Sequence, residues 1–280
     1  MRARADLHTH SSASDGTDSP AELVRKADAM KLGGIALTDH DSLDGMPEFM
    51  MADSSENLRR VSGLEISTEF DGAEAHILGY FVPDDFKPLN ERLEYLRAAR
   101  FDRLPKIIRK LNELGIEATL DELNEFLDGV ASPGRPHVAQ LLVKKKVVKT
   151  THEAFEKYLA SGKPAFVKKE RMQSIEAVKL LRAARAVPVL AHPLTVKQQN
   201  LRTFIEILLD EGLLGIEVDY DYSFMGMHRN SDEVRELIQG LDVVRTGGSD
   251  YHGTVHFTEL GSVTVPVEVI DTLDRLRNEI

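Results

Sequence analysis

The stretch "ADLHTHSSASDG", residues 5–16, places two histidines one residue apart and an aspartate five residues further on. In a β-strand, residues i and i+2 point to the same face, so His8 and His10 are expected to lie side by side where a strand ends. Two imidazoles on one face can chelate a single cation, although two incidental polar residues at a strand end would give the same pattern. Asp15 precedes Gly16 and can form an Asx turn that also aims its carboxylate.

Six later apolar runs carry polar side chains at one end in a similar way. They are "GGIALTDHD" with Asp39, His40 and Asp41, "RRVSGLEIS" with Glu65, "AHILGYF" with His76, "VPVLAHP" with His192, "GIEVDY" with Glu217 and Asp219, and "VVRTGGSDYH" with Asp250 and His252. His76 differs because it opens its strand, whereas the others lie where a strand ends. Chance is a poor explanation for so regular a pattern.

Amphipathic helical stretches lie between many of these runs. In "SPAELVRKADAMKLG", Ser19 is the predicted N-cap, Pro20 the first helical residue and Gly33 the C-cap. Strands that alternate with helices indicate an α/β protein with a mainly parallel sheet. In a barrel of this class the active site lies where the strands end, which is where the polar residues of this chain cluster.

Residues 99–167 interrupt this alternation. The segments "FDRLPKIIRKLNELG", "LDELNEFLDG", "RPHVAQLLVKKKVV" and "THEAFEKYLASG" have helical patterns and little strand pattern. We interpret this region as a helical insertion between two barrel elements, so that residues 1–98 and 168–280 form the barrel.

The composition limits the kinds of site and partner. The 280 residues include no cysteine, which excludes a thiolate metal site and leaves imidazole and carboxylate as ligands. The formal net charge of −11 argues against binding a long nucleic acid, but a small phosphorylated substrate depends only on the local field. No apolar run approaches the roughly 20 residues of a transmembrane helix, and "MRARADLHTH" lacks the apolar stretch of a signal peptide. We therefore expect a cytoplasmic protein with no membrane partner.

The individual polar residues also have simpler interpretations. His40 alone could be a satisfied histidine near a helix start, and Asp39 and Asp41 could be helix caps or partners that orient an imidazole. Glu65 so near an apolar run is costly unless it is paired with a cation or metal. Taken together, however, six histidines and three carboxylates suit two or three divalent ions.

The set "DLHTHSSASDG", "ALTDHDSLDG", "GLEIS…HILGY", "LAHP" and "GGSDYH" closely resembles, in the same order, the polymerase-and-histidinol-phosphatase (PHP) superfamily. The resemblance implies a distorted (β/α)7 barrel with a two- or three-metal centre. It implies three ligand groups, with Glu65 bridging the first two metals: His8, His10 and Asp250; Glu65, His76 and His192; Asp15, His40 and His252. The expected ions are Mn, Fe or Zn, with Mn favoured.

The insertion is similar, through "SPGRPHVAQLLVKKKVV…AFEKYLASGKPAFV", to that of the PHP subgroup that removes phosphate from small nucleotides. That subgroup includes nucleoside 3′,5′-bisphosphate phosphatases and enzymes that trim very short RNA. The resemblance implies that the insertion caps the active site and that Arg135 and His137 face the substrate phosphate, where the planar fork of arginine suits phosphate oxygens. Without the resemblance, Arg135 would be a surface cation and His137 a residue at a helix N-terminus.

The expected activity is that of a metal-dependent phosphoesterase on small nucleotides or phosphosugars, of the nucleoside 3′,5′-bisphosphate or nucleoside monophosphate type. The expected nucleophile is a hydroxide that bridges two metals, with Glu65 and Asp250 as catalytic metal ligands and Arg135 and His137 as catalytic residues on the substrate. Alternatives are a cyclic phosphodiesterase, an enzyme that trims very short RNA, and a non-catalytic PHP-like regulatory domain, which would be expected to lose ligands. A metal-dependent amide hydrolase is less well supported, because no suitable lysine lies at a strand end.

Overall fold

The computed structural model describes residues 3–127, 134–254 and 258–280, and it divides into two compact units. The barrel unit contains residues 1–91 and 171–280, and the insertion unit contains residues 92–170. Among the helices of the described ranges, none is both long enough and apolar enough to cross a membrane.

Within the described residues, the barrel unit has a nine-stranded, mainly parallel sheet. The strands are β1 (Arg4–Asp6), β2 (Gly34–Leu37), β3 (Arg59–Phe70), β4 (Ala73–Tyr80), β5 (Met172–Gln173), β6 (Val187–Leu190), β7 (Gly215–Asp219), β8 (Val244–Gly247) and β9 (Val265–Pro266). Their order is β8-β7-β6-β4-β3-β2-β1-β9, and β5 pairs with β3. Leu7 N–H donates to the Gly247 carbonyl at 3.3 Å, which joins β1 to β8 and nearly closes the barrel. The predicted α/β barrel is confirmed.

Ten α-helices lie in the described residues. They are α1 (Pro20–Ala29), α2 (Met46–Met51), α3 (Lys87–Glu113), α4 (Leu120–Asn124), α5 (Arg135–Lys144), α6 (Thr151–Ala154), α7 (Ser174–Ala183), α8 (Leu201–Asp210), α9 (Ser231–Leu237) and α10 (Glu268–Glu279). A π-helical turn follows α6 at Phe155–Leu159, and short 3₁₀ turns occur at Pro193–Thr195 and Tyr222–Met225.

The predicted start of α1 is confirmed and its predicted end is wrong. The Ser19 hydroxyl accepts from Glu22 N–H at 3.2 Å, and the Glu22 carboxylate accepts from Ser19 N–H at 2.8 Å, which forms a capping box. The chain leaves the helix before Gly33, because Lys31 takes the left-handed conformation with a φ of 59°. Gly33 instead donates its N–H to the Arg4 carbonyl at 2.7 Å and so prepares the pairing of β2 with β1.

The direction of β4 explains why His76 can join residues that lie at strand ends. The strands β1, β2 and β3 are parallel neighbours, as are β6, β7 and β8, whereas β4 is antiparallel to both β3 and β6. The start of β4 therefore lies at the edge where the parallel strands end. His76, in the first half of β4, pairs with Ser67 in the register of β3 and reaches that edge.

Each unit has its own apolar core. Strand β2 alternates, with Ala36 in a core shared by the strands and Ile35 and Leu37 packed in a second core under α1 and α2. In the insertion unit, α3, α4 and α5 bury a separate set of side chains, among them Ile107, Leu111, Leu123, Val138, Leu141 and Leu142.

Candidate metal centre

His8 and His10 follow β1 directly, and both are fully buried. Their ring centroids lie 5.2 Å apart. The loop after β8 passes beside them, and the Asp250 Oδ1 atom lies 3.3 Å from His8 Nε2 and 3.1 Å from His10 Nε2. Gly248 permits this approach, because a Cβ there would lie 2.3 Å from the His8 nitrogen.

Glu65 lies at the centre of the cluster. Because β3 continues to Phe70, Glu65 is in the middle of its strand and not at its end, and its side chain is buried. The Oε2 atom lies 3.3 Å from Nε2 of His8 and of His10 and 3.0 Å from Nδ1 of His40, while Oε1 lies 2.8 Å from Nδ1 of His76 and 2.9 Å from Nε2 of His192. The two oxygens face different sets of imidazoles, which is the arrangement expected of a bridging carboxylate.

Asp15 lies on the open side of the cluster. Its Oδ1 atom is 3.4 Å from His252 Nε2 and 3.9 Å from His10 Nδ1, and its Oδ2 atom is 3.8 Å from His40 Nε2. The Asp15 side chain is 46% exposed, whereas that of Glu65 is 1% exposed. The cluster therefore meets solvent at Asp15.

Among the described residues, three sets of ligand atoms lie close enough together to hold one ion each. They are His8, His10, Glu65 and Asp250; His40, Glu65 and His76; and His10, Asp15, His40 and His252. His192 reaches the second set through Glu65 Oε1. The structure thus brings all nine predicted ligands together, and His10 takes part in two sets because its two ring nitrogens face different carboxylates.

Six of the ligand atoms make no hydrogen bond to the described residues, which fits a bound cation. Within the described residues, no hydrogen bond is made by His8 Nε2, His10 Nδ1 and Nε2, His40 Nδ1, Glu65 Oε2 and Asp250 Oδ1, all of which are buried. Buried polar atoms without partners cost about 1–3 kcal/mol each. A divalent cation would satisfy this donor set of imidazole and carboxylate.

His252 and His192 each direct one ring nitrogen to a protein acceptor. His252 Nδ1 donates to the Asp250 carbonyl at 2.8 Å. His192 Nδ1 lies 3.0 Å from the Thr195 hydroxyl, which itself donates to the His192 carbonyl at 2.9 Å and therefore accepts from the ring. The other ring nitrogen, Nε2, faces a carboxylate oxygen in both residues, an arrangement typical of metal-binding histidines.

The surrounding imidazoles keep the central carboxylates ionised. Burial by itself raises the pKa of Glu65, but the imidazoles of His40, His76 and His8 outweigh it and hold this pKa well below its ordinary value. Burial also raises the pKa of Asp250, and His8 and His10 reverse the effect in the same way. Both groups are thus available as negatively charged ligands.

Asp39 and Asp41 stabilise the loops of the site. The Asp39 carboxylate accepts from Ser11 N–H and the Ser11 hydroxyl, each at 2.7 Å, and from the Ser14 hydroxyl at 2.6 Å. The Asp41 carboxylate accepts from Ser67 N–H at 2.7 Å. These bonds fix the loop after β1 and the course of β3.

Tyr220 and Glu217 touch the cluster but were not predicted to belong to the site. Tyr220 donates its hydroxyl to Asp250 Oδ2 at 2.8 Å. The Glu217 carboxylate lies 2.9 Å from His8 Nδ1 and accepts from His192 N–H at 2.8 Å. The motif "GIEVDY" marks this strand as one with a polar end, but the partners of both residues lie in the loops that follow other strands.

Arg135 and His137 begin α5 in the insertion unit, so the predicted helix start near Pro136 is confirmed. The Arg135 guanidinium lies 5.6 Å from the ring centroid of Phe155 and 5.5 Å from that of Phe166, and it donates to the Leu159 carbonyl at 3.1 Å. His137 Nδ1 accepts a hydrogen bond from the Gly134 N–H at 3.1 Å, which leaves the ring proton on Nε2. Burial lowers the pKa of His137 and favours this neutral form.

Comparison with known proteins agrees with this geometry. The PHP domain model matches residues 6–233. A 5′-3′ exoribonuclease of Haemophilus influenzae is 32% identical, over 93% of this chain and 94% of its own. A 3′,5′-nucleoside bisphosphate phosphatase of Chromobacterium violaceum is 31% identical, over 89% of this chain and 87% of its own. A crystal structure of a candidate metal-dependent phosphoesterase from Bifidobacterium adolescentis has a TM-score of 0.80 at 24% identity, over 97% of this chain and 96% of its own, and shares the fold. The chain belongs to the PHP domain family.

Proposed function

We propose that this chain is a metal-dependent phosphoesterase that hydrolyses phosphate esters of small nucleotides or phosphosugars. The observation that carries the proposal is the convergence of imidazoles and carboxylates, six of whose buried atoms make no hydrogen bond among the described residues. The Chromobacterium violaceum relative is named a 3′,5′-nucleoside bisphosphate phosphatase, which supports nucleoside 3′,5′-bisphosphates and nucleoside monophosphates as the first substrates to test.

The site would hold two or three divalent ions, with Mn²⁺ as the first choice and Fe²⁺ or Zn²⁺ as alternatives, because imidazole and carboxylate ligands suit all three. The ligands would be His8, His10, Asp15, His40, Glu65, His76, His192, Asp250 and His252, with Glu65 shared between two ions. Such ions supply a water nucleophile of lowered pKa and positive charge for the phosphate oxygens.

The residues of the chain itself set the direction of approach and the local charge. The exposed side of Asp15 is where we expect the phosphate to arrive, because the other central carboxylates are buried. Local positive charge in the loaded site would attract a phosphate despite the net charge of −11. We propose a cytoplasmic location for this reaction.

The insertion is proposed to cap the substrate, with Arg135 and His137 on its phosphate. The support lies within α5: Arg135 is held at a helix N-terminus, where anions are favoured. The Nε2 proton of His137 could be donated to a phosphate oxygen or to the leaving oxygen.

Two alternative substrates deserve direct comparison. The Haemophilus influenzae relative is named an exoribonuclease, which supports very short RNA as a second candidate substrate. Small cyclic phosphodiesters form a third class of candidate substrate. A water activated by the metals could hydrolyse them, with Arg135 stabilising the phosphate charge in the same way. The net charge still argues against a long nucleic acid.

A substrate screen tests the proposal. Protein loaded with Mn²⁺ is mixed with nucleoside 3′,5′-bisphosphates, nucleoside monophosphates, sugar phosphates, small cyclic phosphates and 5′-phosphorylated RNA of a few nucleotides. Free phosphate and chromatography identify the products. We expect the highest kcat/KM on a nucleoside 3′,5′-bisphosphate, while preferential release of mononucleotides from RNA would favour the second candidate. No hydrolysis of any of these by the loaded protein would refute the phosphoesterase proposal.

Arg135→Ala is expected to lower kcat/KM on nucleotide substrates by about one to two decades, because a charged hydrogen bond contributes roughly 1.5–3 kcal/mol. Arg135→Lys should recover only part of the loss, because an ammonium group cannot replace the planar fork. Metal content should not change in either variant. Steady-state kinetics on the best substrate, with metal analysis of the same samples, measure these effects.

The aromatic contacts of Arg135 require a control, because the alanine variant also removes packing inside the insertion. Phe155→Leu weakens the same packing and leaves the guanidinium in place. If Phe155→Leu lowers kcat/KM as much as Arg135→Ala, the guanidinium does not bind the phosphate. Unchanged kcat/KM in Arg135→Ala on every ester would lead to the same conclusion.

A further inference from the structure

Glu217 is a fully buried carboxylate on β7 that lies outside the three ligand sets. Its Oε1 atom is 2.9 Å from His8 Nδ1, and its Oε2 atom accepts from the backbone N–H of His192 at 2.8 Å. His8 follows β1 and His192 follows β6, so one side chain joins two separate loops of the site.

The bond to His8 fixes which ring nitrogen carries the proton. A carboxylate oxygen accepts hydrogen bonds, so His8 Nδ1 is the donor in its contact with Glu217 Oε1. In the neutral imidazole this leaves the lone pair on His8 Nε2, which lies 3.3 Å from Glu65 Oε2 and 3.3 Å from Asp250 Oδ1. This nitrogen has no hydrogen-bond partner in the described part of the chain, so Glu217 presents the one His8 atom that can bind a cation in the cluster.

The bond to His192 supports an uncommon backbone conformation. His192 has a φ of 24° and a ψ of 62°, in the left-handed region that residues with a Cβ seldom adopt. A hydrogen bond from its N–H to a buried carboxylate helps to hold this conformation. The same conformation directs His192 Nε2 to Glu65 Oε1, at 2.9 Å.

We infer that Glu217 is a positioning residue of the metal centre, which sets the proton of His8 and the backbone of His192 with its two oxygens. Glu217 binds no metal itself and acts through two ligands that face opposite oxygens of Glu65. The inference rests on the proposed metal-dependent function. It predicts that a neutral side chain of the same shape is insufficient, because an amide offers one acceptor and one donor where two acceptors are needed.

The test is Glu217→Gln, with the affinity for Mn²⁺ measured by competition with a fluorescent chelator. We expect the dissociation constant of at least one Mn²⁺ to rise by roughly 10- to 100-fold, as is usual when a partner of a metal-binding histidine is lost. Hydrolysis should fall most at low Mn²⁺ and recover in part at high Mn²⁺. A defect confined to packing would lower the thermal midpoint and leave the Mn²⁺ affinity unchanged.

Asp219→Asn is the matched control, because it makes the same change two residues further along β7. The Asp219 carboxylate pairs with Arg235 and belongs to none of the ligand sets. We expect its Mn²⁺ affinity to stay within twofold of the wild type. A folded Glu217→Gln variant that also stays within twofold would overturn the inference.

A second measurement uses the wild-type protein and does not depend on the stability of the variant. In the Zn²⁺-loaded protein with ¹⁵N-labelled histidine, we expect the His8 signals to show a proton on Nδ1 and a metal on Nε2, with His8→Gln used for assignment. The opposite assignment would overturn the inference. Failure of the wild type to bind Mn²⁺ or Zn²⁺ would instead refute the proposed function, so the two failures are distinguishable.

Discussion

Glu65→Gln is expected to lower kcat by on the order of 10³-fold or more, which corresponds to about 4 kcal/mol of transition-state stabilisation. The Glu65 carboxylate faces five imidazoles with its two oxygens. Glutamine keeps the shape but removes the negative charge, and its amide nitrogen cannot bind a cation. The change therefore weakens two adjoining metal positions at once, and kinetics at saturating substrate with metal analysis would measure it.

The control for this variant lies on the same strand. Glu69→Gln makes the same change in β3 at a residue that contacts Gln173 and belongs to none of the ligand sets. It should keep near-normal turnover and metal content. If Glu65→Gln also turned over at a near-normal rate, Glu65 would have only a structural role, and the bridging arrangement would be wrong.

The strand ends could be predicted from the sequence because parallel strands share one edge. An apolar run followed by His, Asp or Glu can be recognised from the local sequence. Because parallel strands point the same way, their carboxyl ends then lie together at one edge. This argument applies to His8, His10 and His40 directly. The position of His76 could not be predicted from local pattern alone. Only the antiparallel direction of β4 brings the start of that strand to the same edge of the sheet.

The supporting contacts could not be predicted in the same way. Glu217 contacts His8, and Tyr220 contacts Asp250. In each pair the two residues are far apart in the sequence, so a local sequence pattern cannot predict the contact. A buried glutamate within "GIEVDY" signals that some partner exists, because an unpaired buried charge is costly, but it does not say which. Likewise, the aromatic partners of Arg135 lie on later segments of the insertion, and so "GRPH" predicts a helix start and not the packing of the guanidinium.

Removal of metal by a chelator, followed by dialysis, is expected to abolish hydrolysis, and added Mn²⁺ is expected to restore it. The described cluster gathers its imidazoles and carboxylates into ligand sets, so we expect its water nucleophile to depend on the bound cations. Added Mn²⁺ should also raise the thermal midpoint. At a free concentration 100 times the dissociation constant, binding to the folded state alone contributes about 2.7 kcal/mol, or roughly 5–10 °C for a domain of this size.

Hydrolysis and the thermal midpoint, measured after metal removal and after Mn²⁺ is added back, together distinguish a catalytic metal from a structural one. A catalytic centre requires that activity and thermal midpoint both return with Mn²⁺, because the same unpartnered atoms of His8, His10 and Asp250 bind the ion in each experiment. Return of the midpoint without hydrolysis of any phosphate ester would indicate a metal that only stabilises the fold, as in a non-catalytic PHP-like domain. Full activity after the metal has been removed would contradict the mechanism itself, since the site would then act without the cations that its buried lone pairs and carboxylates require.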